Sequence, residues 1–493
     1  MAVTVGLLAG GAGALALGQD VSGDLFNYHF YNGYALVAGR IDRDLAPAGH
    51  VSYFNPLVDA LQYLGMRHLP PVPFSALLGA FQALNAVLAW GVARHLLGGR
   101  APWLAGLAGL LAATGQNAIS LLGTTYGDNT ASIPAVAALL ATVGAERPSG
   151  ARVAVAGALG GAAVGLKLTM AAPQVGLGAL VLWLAWRQRR PALLAFFALG
   201  SLAGWAATNG WWALDLWRRF GNPFFPFLNG VFGSAYLSPL PMWSPLEPWQ
   251  WLRPAVDAAV GTDFGLESIP RDPRFLVSVL ALAVWLVACG WSGQRGRVRA
   301  MPGRGLPLYW LAAYLSWAAV FHNYRYATVL EFLAPVLALV LLCEIWPRRT
   351  AVVSIALAGV LAVATSPSPW WRARSWGAFW FNATLPALAR GSGQLVLLPE
   401  MKTSFAAPFF PADAAFVGLP QPEYRGPAMT AAIQARIDAH GGPLRVLARS
   451  PGDHGAALAA FGLAIAGPGE WVRFGHGHRL LICPLERLKP DGE

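Results

Sequence analysis

Two carboxylates that follow the first apolar stretch are candidates for acid–base chemistry. Asp20 and Asp24 lie four residues apart, in a run that continues through Tyr28 and His29. In a helix this spacing places both carboxylates on one face. An Asp that is partly desolvated beside a membrane holds a proton more readily, so it could take one from an acceptor hydroxyl. The alternative is that either Asp only caps the helix that follows.

The turn at residues 322–326 carries the clearest candidate for binding a phosphate. It reads His-Asn-Tyr-Arg-Tyr, and Arg325 is its only Arg. A planar guanidinium matches the oxygens of a phosphate. We assign His322 and Tyr324 to the same phosphate-binding site. The alternative is an internal ion pair between Arg325 and Glu331, which follows six residues later.

Two further cations could meet the same anion. Lys167 lies between two apolar runs, where its ammonium could bind an anion or extend to the membrane interface. Arg40 opens the alternating-charge segment 40–44. That segment predicts either an ion-pair network or, through Arg40, a second phosphate contact.

A second acid, Asp128, lies in the polar turn 124–130 and heads a predicted span. The helix dipole favours an acid at this position, so Asp128 could be a helix cap and nothing more. It could instead hold a metal ion or orient a substrate. We assign Asp128, His29 and Tyr28 to a group that orients either the hydroxyl-bearing substrate or a metal ion. Mg²⁺ or Mn²⁺ is a possible cofactor.

The composition indicates which elements must position these residues. Of the 493 residues 56% are hydrophobic and only 12% are charged, against about 25% charged in ordinary globular domains. Mean hydropathy is +0.47. These values exclude a disordered or fibrous chain and indicate a polytopic membrane protein. The three cysteines are too few for a disulfide framework and match no metal spacing.

Eleven apolar stretches are predicted to span the membrane. They are residues 2–19, 74–93, 102–122, 131–145, 153–166, 171–186, 191–209, 273–292, 306–321, 327–346 and 350–366. Residues 131–145 and 153–166 are shorter than the about 20 residues of an ordinary span. The Gly and Ala residues of 153–166 predict close helix packing.

Lys and Arg residues orient these spans. They concentrate in alternate short loops, near residues 94–100, 147–152, 187–190, 295–304 and 348–349. By the positive-inside rule these loops and the N-terminus are cytoplasmic. Segments 20–73, 210–272 and 367–493 then lie outside, with juxtamembrane helices expected at 25–38 and 56–67. Because the net charge of +11 is spread over these loops, it does not indicate nucleic-acid binding.

The chain therefore divides into a membrane module, residues 1–366, and an outer domain, residues 367–493. Strand-like runs at 394–399, 443–448 and 479–485, with a helical pattern at 428–439, predict a small α/β domain there. It carries no catalytic signature. A lid or docking role is the simplest interpretation.

The order of these features resembles the GT-C superfamily of integral-membrane glycosyltransferases. A long outer loop opens with an Asp, a second acid heads a later span, basic residues follow in later outer turns, and a soluble outer domain ends the chain. Residues 24–29, 221–226 and 324–326 look most like segments of uncharacterised bacterial members. The resemblance covers residues 1–366 in layout.

The resemblance implies a mainly α fold: a polytopic helical bundle in the bacterial inner membrane with a periplasmic α/β domain. It implies transfer of a sugar, with inversion, from a polyprenyl phosphate to a hydroxyl of a periplasmic or lipid-linked glycan. In that superfamily the first-loop Asp is usually the base, here Asp24 or Asp20. Asp24 is preferred because the polar and aromatic run continues after it. Arg325, assisted by Lys167 or Arg40, would stabilise the leaving phosphate.

Two other classes of protein compete with this interpretation. A lipid or glycan transporter also needs many spans and buried charges, but it would be expected to show repeats or broken helices at the midplane. A structural or assembly subunit would explain the spans and the outer domain. Neither predicts Asp, Lys and Arg gathered in outer turns, which favours an enzyme.

Overall fold

The computed structural model describes two compact units. The described residues are 2–97, 102–238, 247–262, 271–290, 305–345, 352, 355–356, 359 and 371–488. The first unit, called the membrane unit below, comprises Met1–Ala16, Ser75–Gly210 and Trp243–Trp370. The second, called the sheet unit, comprises Leu17–Phe74, Trp211–Met242 and Trp371–Glu493. The sheet unit thus includes the first predicted outer loop as well as the C-terminal domain.

The helices are numbered along the chain. They are α1 Ala2–Leu17, α2 Phe30–Val37, α3 Leu57–His68, α4 Pro71–Gln82, α5 Leu84–Leu96, α6 Pro102–Ala113, α7 Gln116–Ser120, α8 Asp128–Val143, α9 Gly150–Leu166, α10 Ala171–Gln188, α11 Ala192–Trp205, α12 Trp211–Phe220, α13 Asn229–Phe232, α14 Arg253–Val260, α15 Arg274–Gly290, α16 Gly305–Val320, α17 Thr328–Ile345, α18 Pro427–Asp438 and α19 Gly455–Ala459. A π-helical turn, Leu25–His29, leads into α2. The helices expected at 25–38 and 56–67 correspond to this turn with α2 and to α3.

Four helical runs among the described residues are long and apolar enough to cross a membrane. They are Pro71–Leu96, Leu168–Gln188, Ala192–Phe220 and Tyr324–Glu344. Five shorter apolar helices accompany them: Ala2–Leu17, Pro102–Ala113, Gly150–Leu166, Arg274–Ala288 and Gly305–Val320. Nine of the predicted spans correspond to these runs. The stretch 131–145 falls on α8, and most of 350–366 lies outside the described residues.

Small residues bring α9 and α11 into close contact. A Cβ atom added at Gly161 would lie 2.0 Å from the Ser201 carbonyl oxygen, and one added at Gly204 would lie 1.9 Å from that of Ala158. Only a residue without a side chain allows this approach in both directions. The packing predicted from the Gly and Ala residues of 153–166 is confirmed.

Helix α17 runs through the interior of the membrane unit. Its residues from Val329 to Leu342 are almost all buried, and Leu333, Val336 and Leu337 are fully inaccessible. The short helical turn Tyr324–Ala327 precedes it directly. The turn that carries Arg325 is therefore attached to a rigid, buried element.

The sheet unit contains a mixed sheet, as predicted for the C-terminal domain. Its strands are β3 Ala383–Thr384, β4 Leu395–Leu398, β5 Ala415–Gly418, β6 Leu444–Ala448, β7 Leu463–Ile465, β8 Glu470–Phe474 and β9 Arg479–Arg487, and β1 Gln19–Asp20 with β2 Arg372–Ala373 forms a separate pair. The order is β3-β8-β9-β6-β4-β5, with β7 on β9. Strands β5, β4 and β6 are parallel, and α18 connects β5 to β6.

The predicted strands at 394–399, 443–448 and 479–485 correspond to β4, β6 and β9. The apolar runs predicted these strands because their side chains fill the core between the sheet and its helices. Leu397 and Val446 of the sheet and Ile433 of α18 are inaccessible to solvent. The first outer loop packs against the same sheet. Leu45 forms a parallel bridge to Val417 at the edge of β5.

Candidate functional site

Three charged side chains predicted from separate parts of the sequence meet in the membrane unit. Asp128 is fully buried. Lys167 Nζ lies 2.8 Å from its Oδ1, and Arg325 Nε lies 3.7 Å from its Oδ2. We call Asp128, Lys167 and Arg325 the Asp128 cluster.

Asp128 is positioned by the polar turn in front of α8. Gly127, with φ 77°, adopts the left-handed conformation that lets the chain turn into the helix. The Gln82 side chain accepts from Gly123 N at 2.6 Å and donates to the Thr124 carbonyl at 3.1 Å. Asn85 Nδ2 donates to the Asn129 carbonyl at 2.7 Å. These contacts attach the turn to α4 and α5.

Lys167 is positioned where α9 ends. Its backbone leaves the helix with φ −152° and ψ 118°. Nζ donates to the Tyr126 carbonyl at 2.8 Å and lies 5.8 Å from the Tyr326 ring centroid. The ammonium is thus directed into the cluster, where the sequence predicted that it could bind an anion. It already forms an ion pair with Asp128.

Arg325 lies between two tyrosine rings. Its Cζ is 4.6 Å from the Tyr126 ring centroid and 5.3 Å from that of Tyr326. Asn323 Oδ1 accepts from the Arg325 backbone N at 3.0 Å, and Thr328 Oγ1 donates to the Arg325 carbonyl at 2.7 Å. Stacking on aromatic faces holds the guanidinium plane in a fixed orientation.

Within the part of the chain that the structure describes, the cluster joins two cations to one carboxylate. The cationic side chains retain 19% exposure at Lys167 and 10% at Arg325. The positive end of the α8 dipole adds to the field. Two partly buried cations that lie close together favour an oxygen-rich anion such as a phosphate.

A buried charge network lies beneath the Arg325 turn. Glu331 accepts from Asn117 N and Ala118 N, each at 2.9 Å. Arg274 Nε lies 2.9 Å from Asp272 Oδ1. The backbone of α7 is thereby capped by buried carboxylates, which accounts for the polar residues in an otherwise apolar bundle.

Asn117 links that network to the Arg325 turn. Its Nδ2 donates to the Tyr324 carbonyl at 2.8 Å. The Tyr324 side chain is buried, with its ring 5.1 Å from that of Phe275. Two other residues of this turn were predicted to bind the phosphate-linked substrate. Tyr324 packs in the core, and His322 forms the tight turn after α16 with φ 32°.

An apolar cavity of about 480 Å³ lies in the same unit. Its lining includes residues of α1, α5 and α6, among them Trp90 and Leu110, and Leu122 after α7. Gln82 and Asn129 supply polar groups, and Asn129 follows Asp128 directly in the chain. A mostly apolar cavity of this size can hold part of a hydrocarbon chain.

The predicted first-loop carboxylates belong to the sheet unit. Asp20 is buried at the end of β1, where its Oδ1 accepts from Ser22 N at 2.9 Å. Asp24 is half-buried, and Tyr28 Oη donates to its Oδ2 at 3.5 Å. The side chain of Asp24 is the more accessible of the two.

His29 forms a pair that the sequence reading did not single out. Its Nδ1 lies 2.7 Å from Asp59 Oδ1, and both side chains are 6% exposed. The His29 ring is 4.1 Å from the ring of Tyr28. This contact joins the turn before α2 to the first turn of α3, which makes His29 a positioning residue for the Asp24 segment.

Arg40 takes part in a buried ion pair. Its Nε and Nη2 donate to the two oxygens of Asp44 at 3.0 and 2.8 Å, and its Nη1 donates to the Ala412 carbonyl at 2.8 Å. Tyr31 Oη also donates to Asp44. Burial, followed by the charge of Asp44, raises the pKa of Tyr31 well above its usual value. Most of the guanidinium is engaged internally, so Arg40 is not included in the phosphate site below.

The predicted residues do not form a convincing metal centre. Among the residues that the structure describes, no group of three or more His, Cys, Asp or Glu side chains could hold a metal ion. Asp128 already faces two cations, and a divalent ion would add further positive charge. The residues therefore do not fit Mg²⁺ or Mn²⁺ at this position.

Sequence reasoning missed the residues that support the cluster: Tyr126, Gln82, Asn85 and the Asp272–Arg274 pair. A signal was present for some of them. Gln82 and Asn85 are polar residues within the predicted span 74–93, and Arg274 lies within 273–292. Polar residues at membrane depth have a cost that only a specific partner offsets.

Comparison with known proteins gives a fold but no sequence family. No family model matches the chain, and no curated protein sequence matches it significantly. The crystal structure of ArnT from Cupriavidus metallidurans bound to undecaprenyl phosphate aligns with a TM-score of 0.51 at 11% identity, covering 98% of this chain and 96% of that one. This similarity shows that the two chains share a fold, which in this chain is a mainly helical part with a C-terminal sheet domain.

Proposed function

We propose that the protein is a membrane glycosyltransferase that moves a sugar from a polyprenyl-phosphate donor to a hydroxyl of a periplasmic or lipid-linked glycan. The observation that carries the proposal is the Asp128 cluster, in which Lys167 and Arg325 meet at one buried carboxylate. The likeness to the fold of ArnT, whose structure holds undecaprenyl phosphate, supports the same ligand class here.

In this proposal the membrane unit binds the donor. Lys167 and Arg325 bind the phosphate, and the apolar cavity beside Asn129 accepts part of the prenyl chain. Asp128 holds the two cations in position before the donor arrives. A preorganised cation pair stabilises charge without the cost of reorganising solvent during the reaction.

The sheet unit supplies the base. Asp24 takes the proton from the acceptor hydroxyl, whose oxygen attacks the anomeric carbon of the donor sugar. The bond from that carbon to the phosphate oxygen breaks as the new bond forms on the opposite face, so the configuration inverts. The departing polyprenyl phosphate gains one negative charge, which Arg325 and Lys167 stabilise. The transition state resembles an oxocarbenium ion.

The proposed setting is a bacterial inner membrane. The N-terminus and the Arg-rich loops lie in the cytoplasm, and the C-terminal domain lies in the periplasm. The donor phosphate, the acceptor and the base then all belong to the periplasmic side.

The test is sugar transfer by the purified full chain. Radiolabelled polyprenyl-phosphate sugars are offered as a panel with a bacterial membrane glycan fraction as acceptor, and labelled product is measured. At least one donor should give product, and Arg325→Ala should abolish it. If no donor gives product while labelled lipid crosses protein-containing vesicles, the alternative of a lipid or glycan transporter replaces the enzyme.

A further inference from the structure

A second cavity, entirely within the sheet unit, lies at the carboxyl ends of the parallel strands. Its volume is about 930 Å³. It is lined by residues from 398–401, 419–425 and 449–460, which follow β4, β5 and β6 respectively. In open α/β sheets, ligands bind outside the carboxyl ends of the strands. The topology of the unit therefore places this cavity where such folds form ligand sites.

One part of the cavity lining is held in place by Glu400, which lies two residues after the end of β4. Its Oε1 accepts from Arg449 N at 2.5 Å and lies 3.3 Å from Arg449 Nε. Its Oε2 lies 3.6 Å from His454 Nε2. Because Arg449 follows β6, the carboxylate connects the ends of two adjacent strands and fixes the polar groups that a ligand would meet.

A second part of the lining is aromatic and polar. Arg425 Cζ lies 4.9 Å from the Phe461 ring centroid. The rings of Tyr424 and His50 are 5.9 Å apart. Burial lowers the pKa of His50, so at neutral pH its imidazole is uncharged and offers one donor and one acceptor.

The composition of the lining identifies the class of ligand. Two acids, Glu400 and Asp453, balance the two arginines, Arg425 and Arg449. A phosphate site would have an excess of cations, and a site for a prenyl chain would be mainly apolar. Balanced, planar side chains beside an aromatic ring suit hydroxyl groups, each of which both donates and accepts. The volume is near the upper end of the about 300–1,000 Å³ range of small-molecule sites, so it can hold more than one sugar ring.

We infer that this cavity is a saccharide-binding site. Its link to catalysis rests on the proposed function, because it would then hold the glycan acceptor. Asn27 links saccharide binding to the proposed base within the sheet unit. It lines the cavity and lies three residues after Asp24. Asn27 Oδ1 accepts from Lys402 N at 3.1 Å, which fixes this part of the wall.

The experiment measures binding of the full chain, purified in detergent, to an array of bacterial surface oligosaccharides in the absence of any donor lipid. Inorganic phosphate and anionic lipid vesicles are the competing probes. Glu400→Gln and Tyr424→Ala should each weaken saccharide binding by about tenfold or more, since each removes a polar or aromatic contact. Glu423→Gln is the matched control, because Glu423 is exposed and adjoins Tyr424 without lining the cavity.

Binding of saccharide that both variants weaken and the control retains supports the inference. The inference is overturned if the protein binds no saccharide, if all variants bind saccharide equally, or if the protein prefers phosphate or vesicles. Thermal melting of each variant identifies any that fails to fold. Because Glu400 and Tyr424 belong to different lining segments, 398–401 and 419–425, failure of one variant to fold leaves the other as a test. Saccharide binding without sugar transfer would contradict the proposed enzyme while leaving the binding site intact.

Discussion

Lys167 and Arg325 face different oxygens of the same buried carboxylate, at 2.8 and 3.7 Å from Asp128. The two cations come from chain segments on either side of the long connection 210–272. Their like charges would repel each other without Asp128 between them. In the proposed function, Asp128 holds these two phosphate ligands in place before the donor arrives.

The first prediction concerns that internal anion. Asp128→Asn removes the counter-charge of two partly buried cations and should lower the free energy of unfolding by about 3–5 kcal/mol. Undecaprenyl phosphate should then raise the melting temperature of the variant more than that of the wild type, because its phosphate replaces the missing charge. The measurement is thermal melting in detergent. Undecaprenol, which lacks the phosphate, is the control, and an equal shift with both lipids would contradict the assignment.

The second prediction concerns the base. Asp24→Asn should lower the rate of sugar transfer by about 10²–10⁴-fold, since general-base catalysis contributes on that order, while donor binding and melting temperature stay unchanged. Asp42→Asn is the matched control, because Asp42 is an exposed Asp of the same unit, with 89% of its side chain accessible. Normal turnover by the Asp24 variant would remove this residue from the mechanism.

The third prediction concerns the network beneath the Arg325 turn. A Cβ atom at Gly115 would lie 2.0 Å from Glu331 Oε1 and 2.7 Å from Arg274 Nη1. Gly115→Ala should therefore displace the buried carboxylate, destabilise the protein and weaken donor binding through Asn117. Gly178→Ala is the control, because the nearest atom to its added Cβ, on the Phe197 ring, lies at an ordinary contact distance of 3.5 Å; it should leave stability equal or higher by up to about 1 kcal/mol. Equal melting temperatures for both variants would show that the network tolerates displacement.

The fourth prediction concerns pH. Burial lowers the pKa of His50 below 6.5, so the unfolded chain binds this proton at a higher pH than the folded chain. The corresponding part of the stability is present above pH 6.5 and is lost as the pH falls from there through the lower folded pKa. His50→Asn should reduce the loss of melting temperature between pH 7.5 and pH 5.5. The exposed His68 serves as the control in His68→Asn; the same slope in all three proteins would contradict the prediction.

Apolar periodicity predicted most of the fold, and particular residues show why. Residues 443–448 are mostly apolar with a single charged residue, Arg445, and residues 444–448 form β6. The end of the span at 209 was less accurate, because the helical run continues to Phe220 as an amphipathic helix whose buried face includes Trp212 and Leu216. Hydropathy alone does not detect a helix that is apolar on one side only.

Two residues of the Asp128 cluster could be singled out from the sequence. The scarcity of basic residues in the turns near Lys167 and Arg325 marked these two as special, and both contact Asp128. Their common partner could not be derived, since pairing between distant segments depends on helix packing. The same holds for Arg40, whose ion pair with Asp44 follows the spacing of four residues, while its burial and its contact with the Ala412 carbonyl depend on the fold.

The most direct test of the central claim is equilibrium binding of undecaprenyl phosphate to the full chain in nanodiscs. The wild type should bind the phosphorylated lipid more tightly than undecaprenol, and Arg325→Ala should lose about tenfold or more of that preference, as expected for loss of a charge-assisted contact. Arg253→Ala, which changes an arginine with 59% of its side chain exposed in the same unit, should bind like the wild type. Equal affinity for the two lipids, or an unchanged preference in Arg325→Ala, would contradict a phosphate site at the Asp128 cluster.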